Sequence, residues 1–312
     1  YILSDTLRSR ISAAYFHGMP VAEAQVHLES RIRYHRPQFD NYNKYRFGPL
    51  SISRTEELRA QALELRDNVK LDFEGTYDFV QPLVADSVDF PFTIELFATA
   101  SSVDRQDISS RKKMIVYPAS INIGLQNPTM VKVDSTVVCH VKTILNDGRT
   151  APNIDARLDF IKREWRKTGE ASLSRCSEFE IIDTIIDSIN VKSKIDSVRC
   201  TFQPSAPGYY IIRATARDAQ NRSTRTESYV YVSGRKPVRW RWGDGNAIKL
   251  VTDKKSYYAG ETAKILIQSP FAKANALVTV EREGILHQFA TTVEGHGPTC
   301  LLYTSPSPRD PH

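Results

Sequence analysis

The sequence predicts an all-β protein of tandem two-layer β-sandwiches, and three observations point there. Apolar residues recur at every second position wherever the pattern is clear, as in strands half-buried against an opposing sheet. One strand–turn–strand signature occurs twice, about 114 residues apart between Tyr117 and Tyr231, a spacing that suits a seven-stranded sandwich. The 312 residues exceed one ordinary core and fit two or three domains of roughly 100–150 residues.

Taken in order, residues 54–67 (RTEELRAQALELRD) have helix-forming composition, with Leu58, Ala62 and Leu65 at helical spacing. They predict a short helix or an insertion between strands. Residues 92–98 form the first copy of the repeated signature, run into a polar turn and end at Val116-Tyr117-Pro118. Val137, Cys139 and Val141 then share a face opposite Thr136, His140 and Lys142, and Asn146-Asp147-Gly148 supplies a tight turn. Ile154, Ala156, Leu158 and Phe160 alternate with Asp155, Arg157 and Asp159, so this pair of segments predicts a hairpin. The second copy is residues 210–216, a turn at 218–221, and Val230-Tyr231-Val232. Further on, SYYAGETAKILIQSPF (256–271) reads as a turn and an edge-bounded strand: Ala263, Ile265 and Ile267 share a face, and Ser269-Pro270 ends the pairing because proline lacks an N–H. Val278-Thr279-Val280 resumes before a turn at Glu283-Gly284.

These elements divide the chain into a sandwich over 1–118, truncated at its start and with an insertion around 50–70, and a second over 119–234. A shortened third follows over 235–298, then a non-native or unstructured tail over 299–312, for which a natural Pro/Ser-rich linker is the alternative. The connector between the second and third carries Trp240 and Trp242, exposed or packed at a joint.

Composition and motifs exclude more than they propose. The net charge of +6 comes from bases mixed with acids, as in Arg163-Glu164-Trp165-Arg166-Lys167, which reads as a solvated surface and argues against nucleic acid. No run of some 18 apolar residues predicts membrane insertion, and Tyr1 begins without an initiator or signal peptide, as in an excised piece. Cys139, Cys176, Cys200 and Cys300 lack zinc spacing and read as buried or exposed thiols, with a Cys176–Cys200 bridge as the alternative in an oxidising compartment. His17 in a turn, His27 and His35 eight positions apart, and His140 away from a core face form no metal or general-base constellation. The run from Glu178 to Asp187 carries isoleucines and no glycine, which suits a strand with charged outer positions better than a calcium loop. No GxGxxG or P-loop pattern occurs. Tyr34, His35, Arg36, Phe39, Tyr42, Tyr45 and Phe47 cluster aromatic and basic groups that could stack on a sugar or base, or pack on a neighbouring module. Catalytic, cofactor-binding and metal-ligating residues are all expected to be absent, and the chain is read as not an enzyme.

Four stretches carry a family resemblance. AAYFHGMPVAEAQVHLESRIRY (13–34), YPASINIGLQ (117–126), PGYYIIRATARDAQNRSTRTESYVYVSG (207–234) and IKLVTDKKSYYAGETAKILIQSPFAKANALVTVEREGIL (248–286) resemble the bacterial α2-macroglobulins, in the order that family has them. The resemblance implies fibronectin/immunoglobulin-like macroglobulin β-sandwiches from the shell of a protease trap. In such a trap a proteinase cuts an exposed bait segment, the shell rearranges, and a thioester further along captures the attacker. It makes the 34–47 cluster a loop packed on a neighbouring macroglobulin domain, proteinases the partners of the parent protein, and the periplasm or exterior its location, with anchoring through a missing N-terminal lipoprotein segment. A bacterial origin would leave the sequon Asn221-Arg222-Ser223 unused. The thioester motif is absent from these residues, and the bait segment would follow Glu294. The alternatives are a surface adhesin and an accessory sandwich of a larger secreted enzyme.

Overall fold

The computed structural model describes residues 1–101, 107–167, 179–234, 248–254, 256–258, 260–268, 273–281, 284–293 and 299–304. The first unit contains β1 (Thr6–Ser12), β2 (Gln25–Tyr34), α1 (Arg54–Gln61), β3 (Arg66–Lys70), β4 (Thr76–Pro82), β5 (Phe92–Ser101) and β6 (Asp107–Val116). Its sheets are the pair β1-β4 and the four-stranded antiparallel β3-β2-β5-β6. Period-two patterning sends Val26, Leu28 and Ile32 of β2 and Phe92, Ile94 and Leu96 of β5 into one core with Leu7, Phe79 and Phe90. The β5–β6 hairpin sets Phe92 opposite Val116.

The predicted helix is present but shorter, and its apolar face is not the expected one. A capping box starts it, since Ser53 Oγ accepts from the Glu56 amide and the Glu56 carboxylate accepts from the Ser53 amide. Leu58 is half exposed and Ala62 lies exposed at the C-cap, while Ala60 and Leu63 are the buried positions. Leu65 no longer belongs to the helix: its amide donates to Ser30 Oγ and its carbonyl accepts from the Ser30 amide, so the chain is already joining β2.

The second unit holds β7 (Ile121–Gln126), β8 (Met130–Lys132), β9 (Val137–Leu145), β10 (Asp155–Lys167), β11 (Phe179–Lys192), β12 (Val198–Phe202), β13 (Gly208–Arg217) and β14 (Ser223–Ser233). They form a three-stranded sheet β12-β9-β7 and a five-stranded sheet β11-β10-β13-β14-β8. Val137, Cys139 and Val141 meet Leu158, Phe160, Tyr210, Ile212 and Val230 across the core, where Phe160 stacks on Phe202 at 4.6 Å between centroids. The β13–β14 hairpin sets Tyr210 opposite Val230, as β5–β6 sets Phe92 opposite Val116.

The hairpin expected of β9 and β10 does not form. Gly148, at φ +86°, closes the tight turn with bonds from Gly148 N to the Leu145 carbonyl and from Leu145 N to the Arg149 carbonyl. Beyond it the chain crosses to the opposite sheet, so β9 pairs with β7 and β12 while β10 pairs with β11 and β13. Both sheets face the same core, and the alternation of apolar residues is satisfied by either arrangement.

The third group comprises β15 (Lys249–Thr252), β16 (Thr262–Gln268), β17 (Ala274–Glu281), β18 (Ile285–Val293) and β19 (Thr299–Thr304), arranged as β15-β16-β19 and β17-β18. Leu266, on the face of β16 opposite Ala263, Ile265 and Ile267, is fully buried because it packs with Val251 on Tyr231 of β14. β19 pairs antiparallel with β16, so a strand stands at 299–304 where the sequence suggested the start of an unstructured tail. Residues 305–312, Trp240 and Trp242, Ser269-Pro270 and Glu283 lie outside the described residues.

Candidate functional site

The sequence-predicted chemical residues do not converge. His17 is exposed and stacks on Tyr15 at 5.5 Å, His27 Nδ1 meets Asn68 Oδ1 at 2.8 Å, and His140 meets Ser197. Burial lowers the pKa of His35, with Lys113 adding to the effect. From Phe179 onward the acidic run lies in strand β11 at a sheet edge, with Asp183 in a two-pronged pair with Arg163 at 2.7 and 2.6 Å and Ile181, Ile185 and Ile186 about half exposed; Glu178 lies outside the described residues. Among the described residues no three His, Cys, Asp or Glu side chains are grouped to hold a metal. Cys139 and Cys200 are buried free thiols directly opposite each other on β9 and β12, while Cys176 lies outside the described residues. Contact with Cys200 and burial push the Cys139 thiol up.

The cluster at 34–47 does converge, and what it builds is a joint. The segment leaves β2, makes a 3₁₀ turn at Asp40–Tyr42 and runs across the second sandwich. Phe39 and Phe47 meet edge-on at 4.8 Å, Phe47 is buried, and Tyr42 Oη lies 3.2 Å from Thr150 Oγ1. Phe47 presses on β7 at Gly124, where an added Cβ would come within 2.8 Å of two ring carbons. Every residue from Ile121 to Leu125 is consequently buried, on the core face and on the joint face alike.

Backbone bonds complete the joint along the edge strand β7 and along an open stretch of β14. Arg46 and Leu125 exchange both amide–carbonyl bonds, at 2.7 and 3.0 Å, along β7. On β14 the Arg225 amide donates to the Asp89 carbonyl at 2.9 Å and the Glu227 amide to the Gly48 carbonyl at 3.1 Å. The Gly48 amide in turn donates to Thr226 Oγ1 at 2.9 Å. The first sandwich thus pairs with the edge strand β7 and with the stretch of β14 that β8, which pairs only at Tyr231–Ser233, leaves open, removing pairing sites that would otherwise be offered to other chains.

Charges fill the remaining space. Arg225 donates to Glu56 at 2.5 Å and lies 3.4 Å from Asp89, and Arg213 donates to Glu227 at 2.8 Å; the four joint residues Glu56, Arg225, Glu227 and Arg213 have side chains no more than 29% exposed. The same Glu56 that caps α1 therefore also holds β14. Burial pushes the Asp89 carboxyl up, partly offset by Arg225. Burial would also raise Glu56, but hydrogen bonds from Ser53 and from Arg225 hold it below the usual range. At the other end of the joint Asp218, with a side chain 1% exposed, accepts from Ser120 N, Ser120 Oγ and Arg222 Nε. Burial opposes its ionisation, yet these donors depress it to about 2. Arg222 also donates to the Leu3 carbonyl of the first unit. The carboxylates of this joint are all paired with cations or amide groups.

The 34–47 loop is legible in the sequence as a packing segment, whereas Glu56, Asp89, Gly124, Arg213, Asp218, Arg222, Arg225 and Glu227 are not singled out by it. Two signals were available: the Ser53-x-x-Glu56 capping pattern, and a lone glycine within the apolar strand 121–125.

No family model matches the chain. It is 25% identical to an α2-macroglobulin homologue of Nostoc sp., over 97% of this chain and 16% of that protein. The native conformation of Escherichia coli α2-macroglobulin superposes with a TM-score of 0.55 at 14% identity, over 98% of this chain and 20% of the other. Salmonella α2-macroglobulin reacted with methylamine gives 0.54 at 16% identity over 98% and 20%. Escherichia coli α2-macroglobulin activated by porcine elastase gives 0.55 at 12% identity over 97% and 31%. The chain spans about a sixth of the sequence relative and a fifth to a third of these solved chains. Its fold is therefore that of tandem β-sandwiches of the kind found in bacterial α2-macroglobulins, to which it has a family-level likeness in sequence.

Proposed function

We propose that this chain is a load-bearing, non-enzymatic part of a broad-spectrum protease trap of the α2-macroglobulin type. The units are macroglobulin domains at 1–118 and 119–234, with a third from 235 leading towards a bait segment. The observation that carries the reading is the likeness across nearly the whole chain, in sequence and in fold, to α2-macroglobulins, a solved example of which is activated by porcine elastase. The joint gives the reading a mechanism: a shell that responds to one cut needs elements that move as bodies, and the paired backbone and part-buried ion pairs weld the first two sandwiches into one. Proteinases are then partners of the parent protein, located in the periplasm or outside the cell and held there by a lipid-bearing segment upstream.

The test uses the complete parent gene. The purified product is incubated with several unrelated proteinases, and retained proteinase and residual activity on large substrates are measured. The proposal expects cleavage at one segment downstream of residue 294 and inhibition that disappears when that segment is deleted. A parent protein that neither is cut there nor retains any proteinase contradicts it and favours an adhesin.

A further inference from the structure

We propose that Cys139 and Cys200 form a cross-strand disulfide when the protein folds under oxidising conditions. The register places them as direct partners in the antiparallel β9–β12 pair, flanked by His140↔Arg199 and Val138↔Thr201. Directly opposed residues have Cα atoms about 5.5 Å apart at a hydrogen-bonded position and about 4.5 Å at a non-hydrogen-bonded one; both distances fall within the disulfide range of about 4.4–6.8 Å. Both side chains point into the same core, at 0% and 4% exposure, among Val137, Val141 and Phe202. The two cysteines are thus register partners whose side chains share one core.

A buried cysteine is ordinarily a small apolar filler, and one alone would carry no such inference. Two on facing strands in one register position are a different object. β12 is the five-residue edge strand of its sheet, and β9 is the central one. A bond here would tie the edge strand to its neighbour and close a long loop containing β10 and β11.

Burial requires that oxidation happen before the sandwich closes. With a small-molecule disulfide such as oxidised glutathione as oxidant, one cysteine loses its proton and its sulfur attacks the oxidant, giving a mixed disulfide and one glutathione thiolate. The second cysteine, also deprotonated, attacks the protein sulfur of that mixed disulfide and releases the second thiolate. Two electrons pass to the oxidant, and the two protons end on two glutathione thiols.

The experiment refolds the 312-residue chain from denaturant in a reduced/oxidised glutathione buffer and alkylates residual thiols in denaturant. The chain is then digested without reductant for mass spectrometry. The expected result is a linked peptide pair containing Cys139 and Cys200 that gains the mass of two hydrogens on reduction. A Cys176→Ser/Cys300→Ser variant leaves one pairing open; its unfolding midpoint should fall on the order of 5–10 °C on adding reductant. Adding Cys139→Ser should abolish that reductant response while circular dichroism still reports strand. Full alkylation of both residues in refolded protein, or a Cys176–Cys200 linkage, overturns the proposal. It needs only an oxidising environment and no protease trapping, so the two readings fail separately.

Discussion

Gly124 stands where a strand in a half-buried sheet would ordinarily carry a side chain, and the ring of Phe47 occupies that volume instead. Gly124→Ala puts a Cβ into a contact that real packing does not tolerate. We expect it to cost about 1–3 kcal/mol, measured by chemical denaturation, with Phe47→Ala in the same chain recovering part of the loss. The charge of Asp218 makes the stability depend on pH. Its folded-state pKa lies near 2 against an ordinary aspartate value of 3.8, so its ionised form stabilises the fold above the higher value and that stability is lost as pH falls through the lower. Asp218→Asn should be less stable than wild type at neutral pH by on the order of 1–2 kcal/mol. The gap should narrow below pH 3.8 and vanish near 2, as read from denaturation midpoints across that range. A gap independent of pH would mean that the asparagine fails for steric reasons.

Among the elements, strands were legible wherever alternation and a turn signal coincided. The β5–β6 and β13–β14 hairpins follow from residues 92–98 and 210–216, because each connects neighbours in one sheet and local patterning is enough. β9 and β10 carry the same pattern across an equally good turn yet belong to opposite sheets, since alternation records which face meets the core and not which sheet supplies the face. The helix failed for a related reason. Leu58, Ala62 and Leu65 have the right spacing, but the capping box fixes an eight-residue helix and Leu65 is captured by Ser30 of β2. At the joint, the aromatic loop was visible as a packing segment because its residues are contiguous. The Arg225–Glu56 pair was not, because 169 positions separate its members and neither residue departs from ordinary surface composition. The Cys139–Cys200 opposition was hidden likewise until the β9–β12 register was known.

At the scale of the whole molecule, the joint decides whether the chain behaves as beads on a string or as a welded block. Its backbone bonds extend the ladders of one sandwich with carbonyls from the other, and its ion pairs are shielded enough that removing one partner strands the rest. Among the described residues, the third group touches the second through Leu266 and Val251 on Tyr231, and through Thr129 Oγ1 donating to the carbonyls of Thr252 and Asp253. The first joint, with its paired backbone and ion pairs, should therefore hold the first two sandwiches together as one body. Differential scanning calorimetry of the 312-residue chain and of its Arg225→Met variant tests this most directly. The account predicts one shared transition for the first two sandwiches in the wild type, and in the variant a loss of about 3–5 kcal/mol with that transition split in two. Two separate transitions already present in the wild type, with midpoints that Arg225→Met leaves unchanged, would contradict it.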